Sequence, residues 1–364
     1  MSIKFGYQHG TNAALLGLKT EDYLKSFLYC EKVGYDSIFV MDHLTSNPPN
    51  SEIPSCNVLL PIAAMKTEKL KIGTCVTDPH RRHPSQIALD ALTIHHLSND
   101  RYILGIGAGE AMNMNEFGIV WDNPASRLIE SVEVIKELWK TTQSREMRVN
   151  YTGRFYNLKN ARLQYPIKNI PKLWIAANGP RLIEFTGKVA DGWIPLCNAK
   201  LYKKQLEILA KSGRLDEIEK ACEVFVVISK DNPDLAREMG RRLSPLLSLN
   251  RYILEEYDVK LPEKFHHRVL KETTSEMIKS RDEVLNFAKE NVPQEVIDSM
   301  VIFGSPEECI EQIDEFIKAG VEHFLIMVLG VGPPTPNNYY QSLELFTKEV
   351  FGYFKEESIP NNST

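Results

Sequence analysis

The chain has 364 residues, a net charge of −5, 43% hydrophobic residues and 25% charged residues. Such a length fits one large domain or two ordinary ones, with a core large enough to need no disulfide or metal staple. The acidic balance speaks against a nucleic-acid partner, and no apolar run reaches the roughly 18 residues of a membrane span.

The N-terminal residues run straight into a strand-like pattern at 3–7, which predicts no secretory leader. A helix follows over 20–33, with Thr20 as N-cap, Leu24, Phe27 and Leu28 on one face, and Gly34 as its stop. Residues 37–41 read as a buried strand that ends at Asp42-His43. A helix over 58–66, a strand over 70–75, a helix over 84–97 and a fourth strand over 103–107 come next. Asn123-Pro124 opens a helix whose apolar residues Leu128, Ile129, Val132, Ile135, Leu138 and Trp139 keep the helical period. Further strands are expected over 173–177, 192–196, 223–229 and 324–328.

The segments 31–40 and 317–326 echo each other: a helix end, a glycine stop, a short turn and a strand. Repetition of that unit favours a closed (β/α)8 TIM barrel over an open sheet. The expected organisation is one domain over 1–355, with insertions at about 141–168 and 231–293. The second insertion is charged and mostly helical, and it is expected to cover the barrel mouth. The tail 356–364 reads as disordered. The six cysteines are scattered without a C-x-x-C pair, which predicts buried thiols in a reducing, cytoplasmic setting.

The candidate chemistry gathers where strands end. Gly105-Ile106-Gly107-Ala108-Gly109-Glu110 leaves the fourth strand with spacing G-x-G-x-G-E, not the G-x-G-x-x-G of a dinucleotide site. It reads either as a tight loop or as clearance for a flat cofactor ring that ends at a carboxylate. Asp42-His43 ends a strand, the reaction face of a barrel, and a histidine there can carry a proton near neutral pH. Asn178-Gly179-Pro180-Arg181 opens a helix, where free amides and an arginine suit an anion, or it is an ordinary turn and cap. His80-Arg81-Arg82-His83 reads as a solvated loop, with attraction of an acidic cofactor tail as the alternative. His266-His267 lacks metal-ligand spacing and reads as surface. No H-E-x-x-H, G-x-S-x-G or Walker pattern occurs, and no metal site is predicted.

Together these residues resemble the luciferase-like (bacterial luciferase) superfamily, closest to its coenzyme F420-dependent branch. That branch includes F420-dependent glucose-6-phosphate and secondary alcohol dehydrogenases and methylenetetrahydromethanopterin reductase. The resemblance runs through most of 3–200 and returns at 304–327. It implies a (β/α)8 barrel and hydride transfer between a deazaflavin and a small alcohol or carbonyl, or a methylene-tetrahydropterin-type substrate. It also implies a homodimer.

By resemblance His43 and Glu110 are the proton-transfer groups and Asp42 holds the cofactor. Cys75 and Val76 form a cis-peptide bulge beneath the ring, and Asp78, Ala108, Gly109 and Asn113 are further contacts. Asn178, Gly179, Arg181 and Leu182 receive the cofactor phosphate. The chain departs from the branch in three places. Asn47 stands where the dehydrogenases carry tryptophan, 8–12 holds no acid, and Ser299 stands near a phosphate-binding arginine of the glucose-6-phosphate enzyme. The competing readings are an FMN-dependent monooxygenase of the same superfamily and a non-catalytic flavin-binding barrel.

Overall fold

A computed structural model describes residues 3–9, 17–45, 52–266 and 268–357. The strands are β1 (Lys4–His9), β2 (Ser37–Val40), β3 (Lys71–Thr74), β4 (Tyr102–Ile106), β5 (Val149–Thr152), β6 (Asn157–Ala161), β7 (Lys172–Ala176), β8 (Gly192–Ile194), β9 (Glu219–Ile228), β10 (Ile302–Gly304) and β11 (His323–Leu329). All pairs among β1, β2, β3, β4, β7, β8, β9 and β11 are parallel, and the β8–β9 and β11–β1 pairings close the ring. This is the (β/α)8 barrel expected from the repeat, and its eight strands are the segments anticipated from the sequence.

β10 is an extra strand that sequence reading missed. It pairs with β9 at Val226–Ile228, above the two residues through which β8 and β9 meet. Only three residues long, it carries too little periodicity to register. The 141–168 excess contains an antiparallel hairpin of β5 and β6. The 231–293 excess contains helices Pro233–Ser248, Arg251–Glu255, Arg268–Lys271 and Thr274–Asn291. The final helix runs through Glu357, so the chain stays ordered two residues into the segment read as a tail. Residues 358–364, like Asn47, His267 and the stretch 10–16, lie outside the described residues.

Strand alternation sorts the two faces of the wall. Outward residues such as Phe5, Tyr7, Ile38, Val40, Ile72, Leu104 and Ile106 pack beneath the helices in the main core. Inward residues Phe39, Cys75, Ile103, Trp174, Ile194, Ala221 and Leu325 plug the barrel. Below that plug lies a polar layer. Glu219 accepts from Lys4 Nζ at 2.7 Å and faces His323 Nδ1 at 3.2 Å, while Ser37 Oγ meets His323 Nε2 at 2.8 Å. Burial works to raise Glu219, but the His323 and Lys4 hydrogen bonds pull its pKa down to about 2. Burial holds His323 below its ordinary value despite that carboxylate. The functional end of the barrel is the opposite one, where the strand carboxyl ends open. No helix among the described residues is long and apolar enough to cross a membrane. All six cysteines are free and buried.

Candidate active site

The loops after β2, β3 and β4 build the site. β2 ends at Val40, which delivers Asp42 and His43 to the rim. β4 ends at Ile106 and delivers Glu110. One side chain ties these loops together: Asn113 Oδ1 accepts the backbone N–H groups of Leu44 at 2.7 Å and Thr45 at 3.3 Å. His43 Nε2 and Glu110 Oε2 then stand 3.6 Å apart. That gap is too wide for a direct hydrogen bond, and an oxygen seated to one side of the line joining the two heads could reach both.

Between these loops the Cys75–Val76 peptide is cis. Cys75 N–H still donates to Val40 C=O of β2 at 3.0 Å, whereas Thr77 N–H has crossed to Gly105 C=O of β4 at 3.0 Å. Gly107 N–H returns to Thr77 C=O at 2.8 Å, so the bulge is stitched in on both sides.

The glycine run serves this stitching. A Cβ at Gly107 would lie 2.6 Å from Val76 Cγ2. Gly109 takes φ +74, with Met114 Cε 2.6 Å and Asp78 Cβ 3.2 Å from where its Cβ would stand. Where Gly107 and Gly109 lack side chains, Val76 and Met114 stand close, so the glycines admit the neighbouring Cys75–Val76 segment. Trp121 Nε1 donates to Ala108 C=O at 3.0 Å and pins the same loop.

Asp42 and Asp78 anchor two arginines. Asp42 Oδ2 accepts from Thr77 Oγ1 at 2.7 Å and from Arg82, and lies 3.2 Å from Arg81. Burial pushes Asp42 up, but the Arg81 and Arg82 guanidiniums outweigh it and hold its carboxyl below the usual range. Asp78 Oδ1 accepts the N–H groups of His80 at 2.9 Å and Arg81 at 3.0 Å, and its Oδ2 accepts from Arg81 Nε at 2.5 Å. The 80–83 segment is therefore not a solvated loop. Arg81 and Arg82 are largely buried counter-ions, and His83 Nδ1 caps the Pro84–Leu97 helix by accepting from Ser85 N–H at 3.2 Å.

Across the mouth, Gly179 precedes the Pro180–Val189 helix. Asn178 Oδ1 accepts Leu196 N–H at 3.0 Å, Arg181 donates to Ser126 Oγ at 3.1 Å, and Leu182 packs on the outer core. A Cβ at Gly179 would stand 3.0 Å from the Tyr252 hydroxyl, so the 231–293 excess reaches over this helix start. It also touches the β4 side, where Ser275 N–H donates to Glu116 at 3.4 Å.

Two residues at the mouth went unread in the sequence. Glu223 projects inward from β9, and its Oε1 accepts from Gln8 Nε2 at 2.6 Å and Cys75 Sγ at 3.1 Å. The available signal was a lone carboxylate inside the otherwise apolar run 221–228.

The sequence profile of the luciferase-like monooxygenase family matches residues 5–323. The chain belongs to the luciferase-like monooxygenase family. One relative of this family member is the 5,10-methylenetetrahydromethanopterin reductase of Archaeoglobus fulgidus, 30% identical over 89% of this chain and 93% of that protein. Another is the F420-dependent glucose-6-phosphate dehydrogenase of Amycolatopsis mediterranei, 28% identical over 89% of this chain and 92% of that one. Among solved structures, an F420-dependent secondary alcohol dehydrogenase in complex with an F420-acetone adduct superposes with a TM-score of 0.74. It is 22% identical and covers 96% of this chain and 98% of that one. At that identity it supports the shared fold alone.

Proposed function

We propose that this protein is a coenzyme F420-dependent oxidoreductase. It exchanges hydride between the deazaflavin and a small alcohol or carbonyl, or a methylene-tetrahydropterin-type carbon. The observation that carries this reading is the His43–Glu110 pair, 3.6 Å apart on the loops after β2 and β4. A flavin-binding scaffold without chemistry needs neither an imidazole nor a carboxylate there.

The residues fit such a cofactor. His43 Nδ1 is buried with no hydrogen-bond partner among the described residues. Gly179 stands at a helix start with the Tyr252 hydroxyl 3.0 Å from where its Cβ would lie. In this reading Cys75, Val76, Ala108, Gly109 and Asn113 bound the ring, Asp42 and Asp78 set the loops around it, and Asn178, Gly179, Arg181 and Leu182 take the phosphate at the helix start.

When bound, the deazaflavin supplies a hydride donor or acceptor at its carbon 5. The protein's own work is orientation and proton traffic. An alcohol oxygen seated within reach of both His43 Nε2 and Glu110 Oε2, to one side of the pair, loses its proton to one of them as the carbon is oxidised. In the reverse direction the same atom returns the proton to the carbonyl oxygen. The helices of 231–293 reach the Gly179 helix start through Tyr252 and Glu116 through Ser275, and in this reading they limit water entry to the site.

The deciding experiment is titration of the purified protein with F420 and with FMN, followed by fluorescence quenching. F420 binding is expected. Tight FMN binding without F420 binding overturns the reading in favour of a flavin monooxygenase, and binding without any turnover favours a scaffold.

We also infer a homodimer in the cytoplasm. Val58, Ile62 and Met65 form an exposed apolar stripe on the Cys56–Lys66 helix, and the free buried thiols suit a reducing compartment. Light scattering tests the dimer, and a monomer at micromolar concentration refutes it.

A further inference from the structure

Two acceptors at the base of the mouth take no part in the proton traffic described above. Glu223 is the inward residue of β9 two positions beyond Ala221, which belongs to the apolar plug. Gln8 and Cys75 both donate to its Oε1, at 2.6 and 3.1 Å. Its Oε2 accepts no hydrogen bond among the described residues. The Gln8 side chain is 3% exposed, and its own Oε1 is buried without a partner among the described residues. Strands β1 and β9 therefore bring an amide and a carboxylate into contact, each with one oxygen that takes no donor from the described residues.

Leaving the buried Gln8 acceptor unmade costs stability, and an apolar residue at either position would extend the plug below. Burial raises the Glu223 carboxyl above its ordinary value; its bonds to Cys75 and Gln8 work against this, Glu110 adds to the rise, and His43 opposes it. Glu223 thus shares one electrostatic chamber with the proposed proton-transfer pair.

We propose that Glu223 and Gln8 form the substrate-reading floor of the site, selecting molecules that present neighbouring N–H or O–H donors close to the carbon that exchanges hydride. This deepens the oxidoreductase reading and rests on it. A bare ketone or simple secondary alcohol leaves both oxygens unpaired once it displaces water. A molecule with an amide, amidine or vicinal hydroxyl edge satisfies both. A site built to pair such donors discriminates strongly against an analogue that lacks them. Glu223 and Gln8 are specificity residues here, distinct from His43 and Glu110.

The test uses two small probes on the protein without cofactor, followed by ligand-observed NMR titration. 2-Aminopyrimidin-4-one carries neighbouring N–H donors, and cyclohexanone carries none. The aminopyrimidinone is expected to bind the wild type, and at least about tenfold more weakly to Glu223→Leu. Gln8→Leu should weaken it several-fold, with cyclohexanone unaffected in both variants. If Glu223→Leu does not fold, Glu223→Gln replaces it, and a several-fold loss is expected. No binding of aminopyrimidinone to the wild type, or equal binding to all variants, overturns the proposal. F420 is titrated in parallel. A tenfold loss of F420 affinity in Glu223→Leu with unchanged probe binding assigns the carboxylate to the cofactor and also overturns it. Failure of the wild type to bind F420 sinks the oxidoreductase reading and the substrate role that rests on it, whereas probe failure with F420 bound sinks the floor alone.

Discussion

Asp42 separates two accounts of the same residue, and substituting it decides between them. The resemblance makes Asp42 a cofactor holder, whereas the structure engages its carboxylate with Thr77, Arg81 and Arg82. Asp42→Asn keeps the volume and removes the charge. Each arginine keeps another carboxylate, Arg81 with Asp78 at 2.5 Å and Arg82 with Asp90 at 3.6 Å. The loss should therefore fall at the low end for breaking a buried ion pair, about 3 kcal/mol.

The sign of the pH effect follows from the depressed folded pKa. Asp42 contributes stability that is present above its unfolded pKa and lost as pH falls through its lower folded pKa. The gap between wild type and Asp42→Asn should be full near neutrality and shrink in acid. Urea unfolding of the cofactor-free protein at pH 7 and at pH 3 measures both. A difference below about 0.5 kcal/mol at pH 7, within the range of ordinary surface changes, refutes the anchoring role. Intact stability with lost F420 affinity would restore the simpler cofactor-holding role.

Three further outcomes are expected. Glu110→Gln should cut turnover by about 10² to 10⁴ and leave F420 affinity within a few-fold, read by steady-state kinetics beside fluorescence titration; full activity removes Glu110 from the proton path. Gly107→Ala puts a Cβ 2.6 Å from Val76 Cγ2, so it should lose about 1–3 kcal/mol in urea unfolding and weaken cofactor binding as the bulge shifts. An unchanged affinity would mean that the bulge does not support the ring. Glu219, with its pKa drawn down to about 2, stabilises the fold above its unfolded pKa and loses that contribution as pH falls towards 2. Its worth is at most about 3 kcal/mol at neutral pH. Glu219→Gln should flatten the acid limb of the stability profile, and an unaltered limb would refute the role of the polar layer.

The barrel was legible because its signal is local. Eight apolar runs, each closed by a glycine turn or a polar pair, set the strands, and the parallel register follows from the helices between them. The rim positions of His43 and Glu110 were legible for the same reason, since a polar residue that ends a buried strand marks the open end of the barrel. Other features depend on which strand lies beside which. The role of the glycine run is one: sequence can register that residues 105, 107 and 109 lack side chains, but only the packed sheet puts Val76 and Met114 in that space. The pairing of Arg81 and Arg82 with Asp42 is another, because ion pairs form across loops that are nearly 40 residues apart. Glu223 is the furthest case. It meets Gln8 across 215 positions, and within its own strand it looks like a single interruption of an apolar run. Strand periodicity says which face a residue takes; closure of the barrel alone decides what it finds there.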